Sequence, residues 1–227
     1  MTAKIKLNAA SGGGSFSLQA PSSSANNRVI SLPDLADGTL LTSQSSLDST
    51  KLSPALAANT KITRVGQGSL NGVDSYTYTS LPSGIVQLSY MWYGASLASN
   101  TNMLFRIGGG GGGTSTSGYY VAQAEIGDGT DSVTRSPRTS EIPVQTDSWE
   151  AATGVSQGRI DFTQAEGNLW TWKMQNYYYA TASGHYVNML NTGYITIAGA
   201  LERAVLFSGG GANFDAGYVY LTYTQIV

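Results

Sequence analysis

The sequence predicts an all-β protein, with a short N-terminal β arm followed by an antiparallel β-sandwich of jelly-roll type. Three observations carry that expectation. Apolar and polar residues alternate with a period of two, as in Val86-Gln87-Leu88-Ser89-Tyr90-Met91-Trp92-Tyr93, the pattern of a strand with one buried face. Turn signals separate such segments, among them Asn71-Gly72 and Asp128-Gly129, dipeptides that favour hairpins. No stretch keeps a helical period, so strands follow one another without helical crossovers, which argues for two packed antiparallel layers. A closed barrel satisfies the same pattern.

The first element is core-poor. Of the 23 Phe, Trp and Tyr residues, only Phe16 precedes Tyr76. Brief alternating runs at Lys4–Leu7, Ser15–Leu18 and Arg28–Leu32 read as short strands between the Gly12–Gly14 and Pro21–Ser24 turns. Their apolar positions are Ile5, Leu7, Phe16, Leu18, Ile30 and Leu32. Ordering a backbone costs about 1–2 kcal/mol per residue, more than this little apolar surface offsets. Residues 1–42 are therefore expected to associate with copies of themselves, as a β-prism-like homotrimer anchored through those six positions. Residues 43–60 are polar and Ser-rich, with Leu47, Leu52 and Leu56 as their main apolar points. A linker with one short helical turn fits; three leucines fall short of a coiled coil.

The second element, residues 61–227, holds nearly all the aromatic side chains. Strands are predicted at Ile85–Tyr93, Tyr119–Ile126, Arg159–Thr163, Leu169–Asn176, Tyr194–Ala198, Arg203–Ser208 and Tyr218–Ile226, all from alternation. At least seven or eight strands are expected to share this domain.

Composition excludes several classes. Charged residues make up 11% of the 227, against about 25% in ordinary globular proteins, and Gly, Ser, Thr and Tyr take their place. The net charge is −2 with Lys and Arg scattered singly, so no cationic face offers itself to nucleic acid. No apolar run reaches the length of a membrane span, and the opening Met1–Asn8 lacks a signal-peptide core. The expectation is a protein made in a cytoplasm, without membrane insertion. Cysteine is absent, which removes disulfides, thiolate metal sites and a cysteine nucleophile.

No motif supplies catalysis, and no catalytic residue, metal or cofactor is expected. His185 stands alone without a Gly-x-Ser-x-Gly elbow. Asp161, Glu166, Glu125 and Asp147 are the carboxylates from which a glycosidase pair would have to be drawn. Gly127-Asp128-Gly129-Thr130-Asp131-Ser132 lacks the downstream glutamate of a calcium loop and reads as a turn. Gly108–Gly113 has no helix or Lys-Ser/Thr behind it to hold phosphate. With Gly12–Gly14 and Gly209–Gly211 it reads as backbone of unusual freedom, or as a place where another chain comes close. Trp170 and Trp172 share one strand face and read as sandwich core, whereas Tyr177, Tyr178, Tyr179, Tyr186 and Trp149 are the candidate ligand surface, because flat rings stack on sugars.

The stretch Ala3-Lys4-Ile5-Lys6-Leu7-Asn8-Ala9-Ala10-Ser11-Gly12-Gly13-Gly14-Ser15-Phe16-Ser17-Leu18-Gln19-Ala20-Pro21, followed by Asn27-Arg28-Val29-Ile30-Ser31-Leu32-Pro33-Asp34 and Asp37-Gly38-Thr39-Leu40-Leu41, resembles the N-terminal module of tailed-bacteriophage fibre and virion proteins, those of marine and cyanobacterial phages in particular. The resemblance implies a trimeric arm attached to the particle and a C-terminal β-domain that often contacts the host. The expected function is thus a non-enzymatic virion structural protein, a homotrimeric tail or head fibre. Its expected partners are itself, other virion proteins and host-surface glycan. Capsid decoration, a carbohydrate-binding module and a glycan-degrading tailspike are the alternatives.

Overall fold

A computed structural model describes residues 4–8, 11, 15–19, 60–127, 132–134, 139–145, 154–180 and 184–226. By internal contacts the chain divides into two units, Met1–Leu47 and Asp48–Val227. In the first, β1 (Lys4–Asn8) and β2 (Ser15–Gln19) pair antiparallel, with Ile5 opposite Leu18 and Leu7 opposite Phe16. The expected third strand with Ile30 and Leu32, and the linker helical turn, lie outside the described residues.

The second unit contains β3 (Thr60–Ser69), β4 (Ser75–Tyr78), β5 (Ile85–Leu97), β6 (Met103–Gly109), β7 (Tyr120–Gly127), β8 (Ser132–Thr134), β9 (Ile142–Gln145), β10 (Gly154–Glu166), β11 (Leu169–Ala180), β12 (His185–Thr196), β13 (Leu201–Ser208) and β14 (Phe214–Ile226). These form an eight-stranded sheet ordered β3-β14-β5-β10-β11-β12-β7-β8 and a four-stranded sheet ordered β4-β13-β6-β9, with every described pairing antiparallel. The all-β expectation holds: the layers pack as a sandwich around one aromatic-rich core.

The strand order has an internal logic. With the hairpins β7–β8 and β11–β12 set aside, eight strands remain. Numbered in chain order, they run 1-8-3-6 in the larger sheet and 2-7-4-5 in the smaller. The two hairpins are excursions, one between β6 and β9 and the other between β10 and β13. They meet through β12 and β7 and widen the larger sheet by four strands.

Rings tie the core together. Tyr76, Tyr78, Tyr90 and Phe105 make successive edge-to-face contacts with centroids 5.2, 5.6 and 4.9 Å apart. Phe105 then stacks on Phe162, which leans on Trp172. Each such burial contributes about 1.5–3 kcal/mol. A buried polar chain links the layers: the Trp92 indole N–H donates to Ser156 Oγ and Asn176 Oδ1, both at 3.1 Å, and Asn176 Nδ2 donates to the Val144 carbonyl at 2.8 Å. Asn191 Nδ2 donates likewise to the Pro143 carbonyl at 2.7 Å, so β9 is held by side chains of β11 and β12.

Two turn expectations change. Asn71 and Gly72 do form a turn, and Gly72 takes a positive φ of 83°. The strands it joins, however, pair with β14 and β13 rather than with each other, so it carries the chain between layers instead of closing a hairpin. Within Gly108–Gly113, Gly110, Gly111 and Gly113 do use glycine's freedom, with positive φ, but Gly108 and Gly109 are not free backbone. A Cβ on Gly108 would collide with the Gly113 carbonyl, and one on Gly109 with the Ala200 carbonyl. The close neighbour is this chain's own backbone. The loop is pinned further by the Gly111 N–H, which donates to Glu202 Oε2 at 2.9 Å.

Candidate functional site

Alternation on β11 decides which aromatic residues can meet a ligand. Trp170, Trp172, Met174, Asn176 and Tyr178 point inward and are buried, whereas Thr171, Lys173, Gln175, Tyr177 and Tyr179 face out. The two tryptophans belong to the core, as their shared strand face implies. Tyr178, predicted at the ligand surface, is a correction. It is only 3% exposed because it has the parity of the two tryptophans, and its ring fills the space over Gly154, where a Cβ would strike it.

The outward face of the eight-stranded sheet carries the rest. Tyr177 and Tyr179 flank Tyr186 of β12, with Tyr179 stacked on it at 4.8 Å and 26° and Tyr177 tilted at 6.1 Å. Tyr186 is 48% exposed. The Tyr177 phenol is held above its ordinary value, first by desolvation and then by Tyr186 and Tyr179 beside it. Trp149 lies outside the described residues.

A second tyrosine group, not anticipated from the sequence, sits at the other end of β12. Tyr194 opposes Tyr120 of β7 across the ladder, and their rings stack at 4.4 Å and 13° while remaining 44% and 53% exposed. Their signal is parity: Tyr194 alternates with buried Ile195, and Tyr120 follows buried Tyr119. Between the two groups lies a shallow cleft of about 460 Å³ bordered by Arg159, Asp161, Lys173, Gln175, Leu190 and Thr192. Arg159 Nε donates to Asp161 Oδ1 at 2.6 Å.

No family model, curated protein or solved structure matches this chain. The site therefore stands on its own chemistry.

For bond cleavage, Asp161 and Glu166 are badly placed. Both belong to β10, and five residues of extended chain put them about 16 Å apart, beyond the roughly 5–9.5 Å over which a glycosidase carboxylate pair works. Asp161 is already engaged by Arg159. Glu125 stands on β7. Among the described residues no three His, Asp or Glu side chains gather to hold a metal ion. His185 begins β12, and Asp147 and the Asp128–Asp131 turn lie outside the described residues. What β12 brings together on this face is two groups of stacked rings with a charged pair between them.

Proposed function

We propose that this chain is a structural protein of a tailed-phage virion, a homotrimeric fibre component whose N-terminal segment anchors it and whose C-terminal β-sandwich attaches to the host surface. The observation that carries this reading is the outward face of the large sheet, where stacked, partly exposed tyrosines stand at either end of a cleft bordered by Arg159, Asp161 and Lys173. Two further features support it. The 1-8-3-6 and 2-7-4-5 strand order of the eight principal strands is read here as a jelly roll, an architecture frequent in capsid and lectin domains. A pair of five-residue strands is marginal in water alone, which favours partners for the N-terminal segment.

The reading assigns binding without turnover, strengthened by display of several copies on one rigid unit. Immunogold labelling of intact particles with an antibody against residues 61–227 tests it directly. Label along fibres, with sedimentation of the full chain as a trimer, is the expected result. Particles without label, or a stable folded monomer, would overturn it. Label spread over the head shell would move the protein to capsid decoration.

A further inference from the structure

The two tyrosine groups and the cleft between them form one line along β12. Tyr186 and Tyr194 belong to the same strand, and extended chain sets them about 26 Å apart. Thr192 borders both the polar cleft and the apolar hollow in front of Tyr120 and Tyr194, whose floor is made of the small residues Ala122 and Gly193. Hollow and cleft are therefore continuous, and at the far end of the cleft Gln175 stands two residues along β11 from Tyr177.

We infer that this trough binds an extended glycan, several sugar units long, lying along β12 with a tyrosine platform under each end. The Tyr120–Tyr194 stack covers one face of each ring, and in the other group Tyr186 is flanked by Tyr177 and Tyr179; the ring faces turned away from these contacts are the ones offered to the C–H face of a pyranose. Sugar hydroxyls both donate and accept hydrogen bonds, and the middle of the trough offers both: Arg159, Lys173 and Gln175 donate, while Asp161 accepts.

The distribution of polarity separates this ligand from the alternatives. A protein interface has an apolar centre and a polar rim, whereas here the centre sets the Arg159–Asp161 ion pair and Lys173 beside one exposed apolar side chain, Leu190, and the two tyrosine groups sit at the ends. A second copy of the chain is thus a poor occupant. Nucleic acid needs clustered cations, and the cleft sets Arg159 and Lys173 against Asp161.

The inference deepens the attachment reading and rests on it for its biological setting, although the binding itself can be measured apart from any particle. The full-length protein would be tested on an array of linear neutral, amino-sugar and uronic-acid glycans, each as a ladder from monosaccharide upward. Affinity should rise with length until both platforms are spanned. Y120A/Y194A and Y179A/Y186A should each weaken the long chains about three- to tenfold and shorten the length dependence, while the matching Phe pairs keep it. Should an Ala pair fail to fold, the Leu pair, which keeps apolar bulk without a flat ring, should show the same loss. Absence of binding to every ladder, equal affinity for short and long chains, or full affinity in the Leu pairs would overturn the inference. So would variants that alter sedimentation and leave glycan binding intact, which would make the face a subunit interface. Labelled particles that bind no glycan would sink this inference alone, and a glycan-binding protein absent from particles would sink only the virion reading.

Discussion

The two faces of the large sheet use the same side chain to opposite ends. On the inner side, Tyr90 of β5 and the ring it meets from β4 of the smaller sheet, Tyr78, are buried, and their hydroxyls donate to backbone carbonyls: Tyr78 to Gly66 and Val219 at 2.8 and 3.1 Å, Tyr90 to Tyr76 at 3.2 Å. On the outer side, Tyr120, Tyr186 and Tyr194 stack on other tyrosines and stay about half exposed. Tyr119 and Tyr120 make the contrast within one dipeptide, because Tyr119 is fully buried and exchanges hydrogen bonds with the backbone of Ile107. An inner tyrosine is held by its hydroxyl as well as its ring; an outer one is free to hold something else.

The largest expected effect lies inside. Trp92→Ala removes a buried ring and leaves Ser156 and Asn176 without their indole donor, so it should cost about 3–5 kcal/mol in urea unfolding. A loss as small as that of an outer tyrosine would break the comparison.

Alkaline pH gives the next effect. Burial, with Tyr76 and Tyr220 adding to it, pushes the Tyr78 phenol from 10.0 up to about 12, and burial also raises Tyr90. The unfolded chain releases these protons near its ordinary value while the folded chain keeps them, so unfolding is favoured by rising pH. The stabilisation is fully present below pH 10.0 and is lost toward about pH 12. Thermal melting across that window should show a falling midpoint, a loss of roughly 2 kcal/mol for one such group.

The smallest effect belongs outside. Tyr194→Ser gives up a stacked pair on an exposed face and should cost no more than about 1.5 kcal/mol, measured by the same urea titration. A larger loss would show that the outer rings hold the sheet together.

Much of this fold is legible in the sequence because one-sided strands write their burial into alternation, as β5 and β11 do. Tyr178 is legible by the same rule, since the inward parity of Trp170 and Trp172 fixes it. Strands buried on both faces lose that signature: β6 and β9 lie within the smaller sheet with nearly every residue buried, and alternation finds neither. In β3, Gly66 and Gly68 obscure the pattern; Gly68 leaves room for the Tyr76 ring, which a Cβ there would strike. The Tyr120–Tyr194 platform is hidden for another reason. Its members come from different excursions of the chain, and register between distant strands is set by tertiary packing.

Gly193 shows how that register is kept. A Cβ at this position would collide with the Tyr120 carbonyl and the Trp172 ring, so only a glycine can pass where β12 crosses between them. A slip by one residue would bring Thr192 or Tyr194 into that gap and turn the outward tyrosine toward the interior. This tight crossing thus works as a key that admits a single alignment, and a missing side chain decides where the aromatic ones stand.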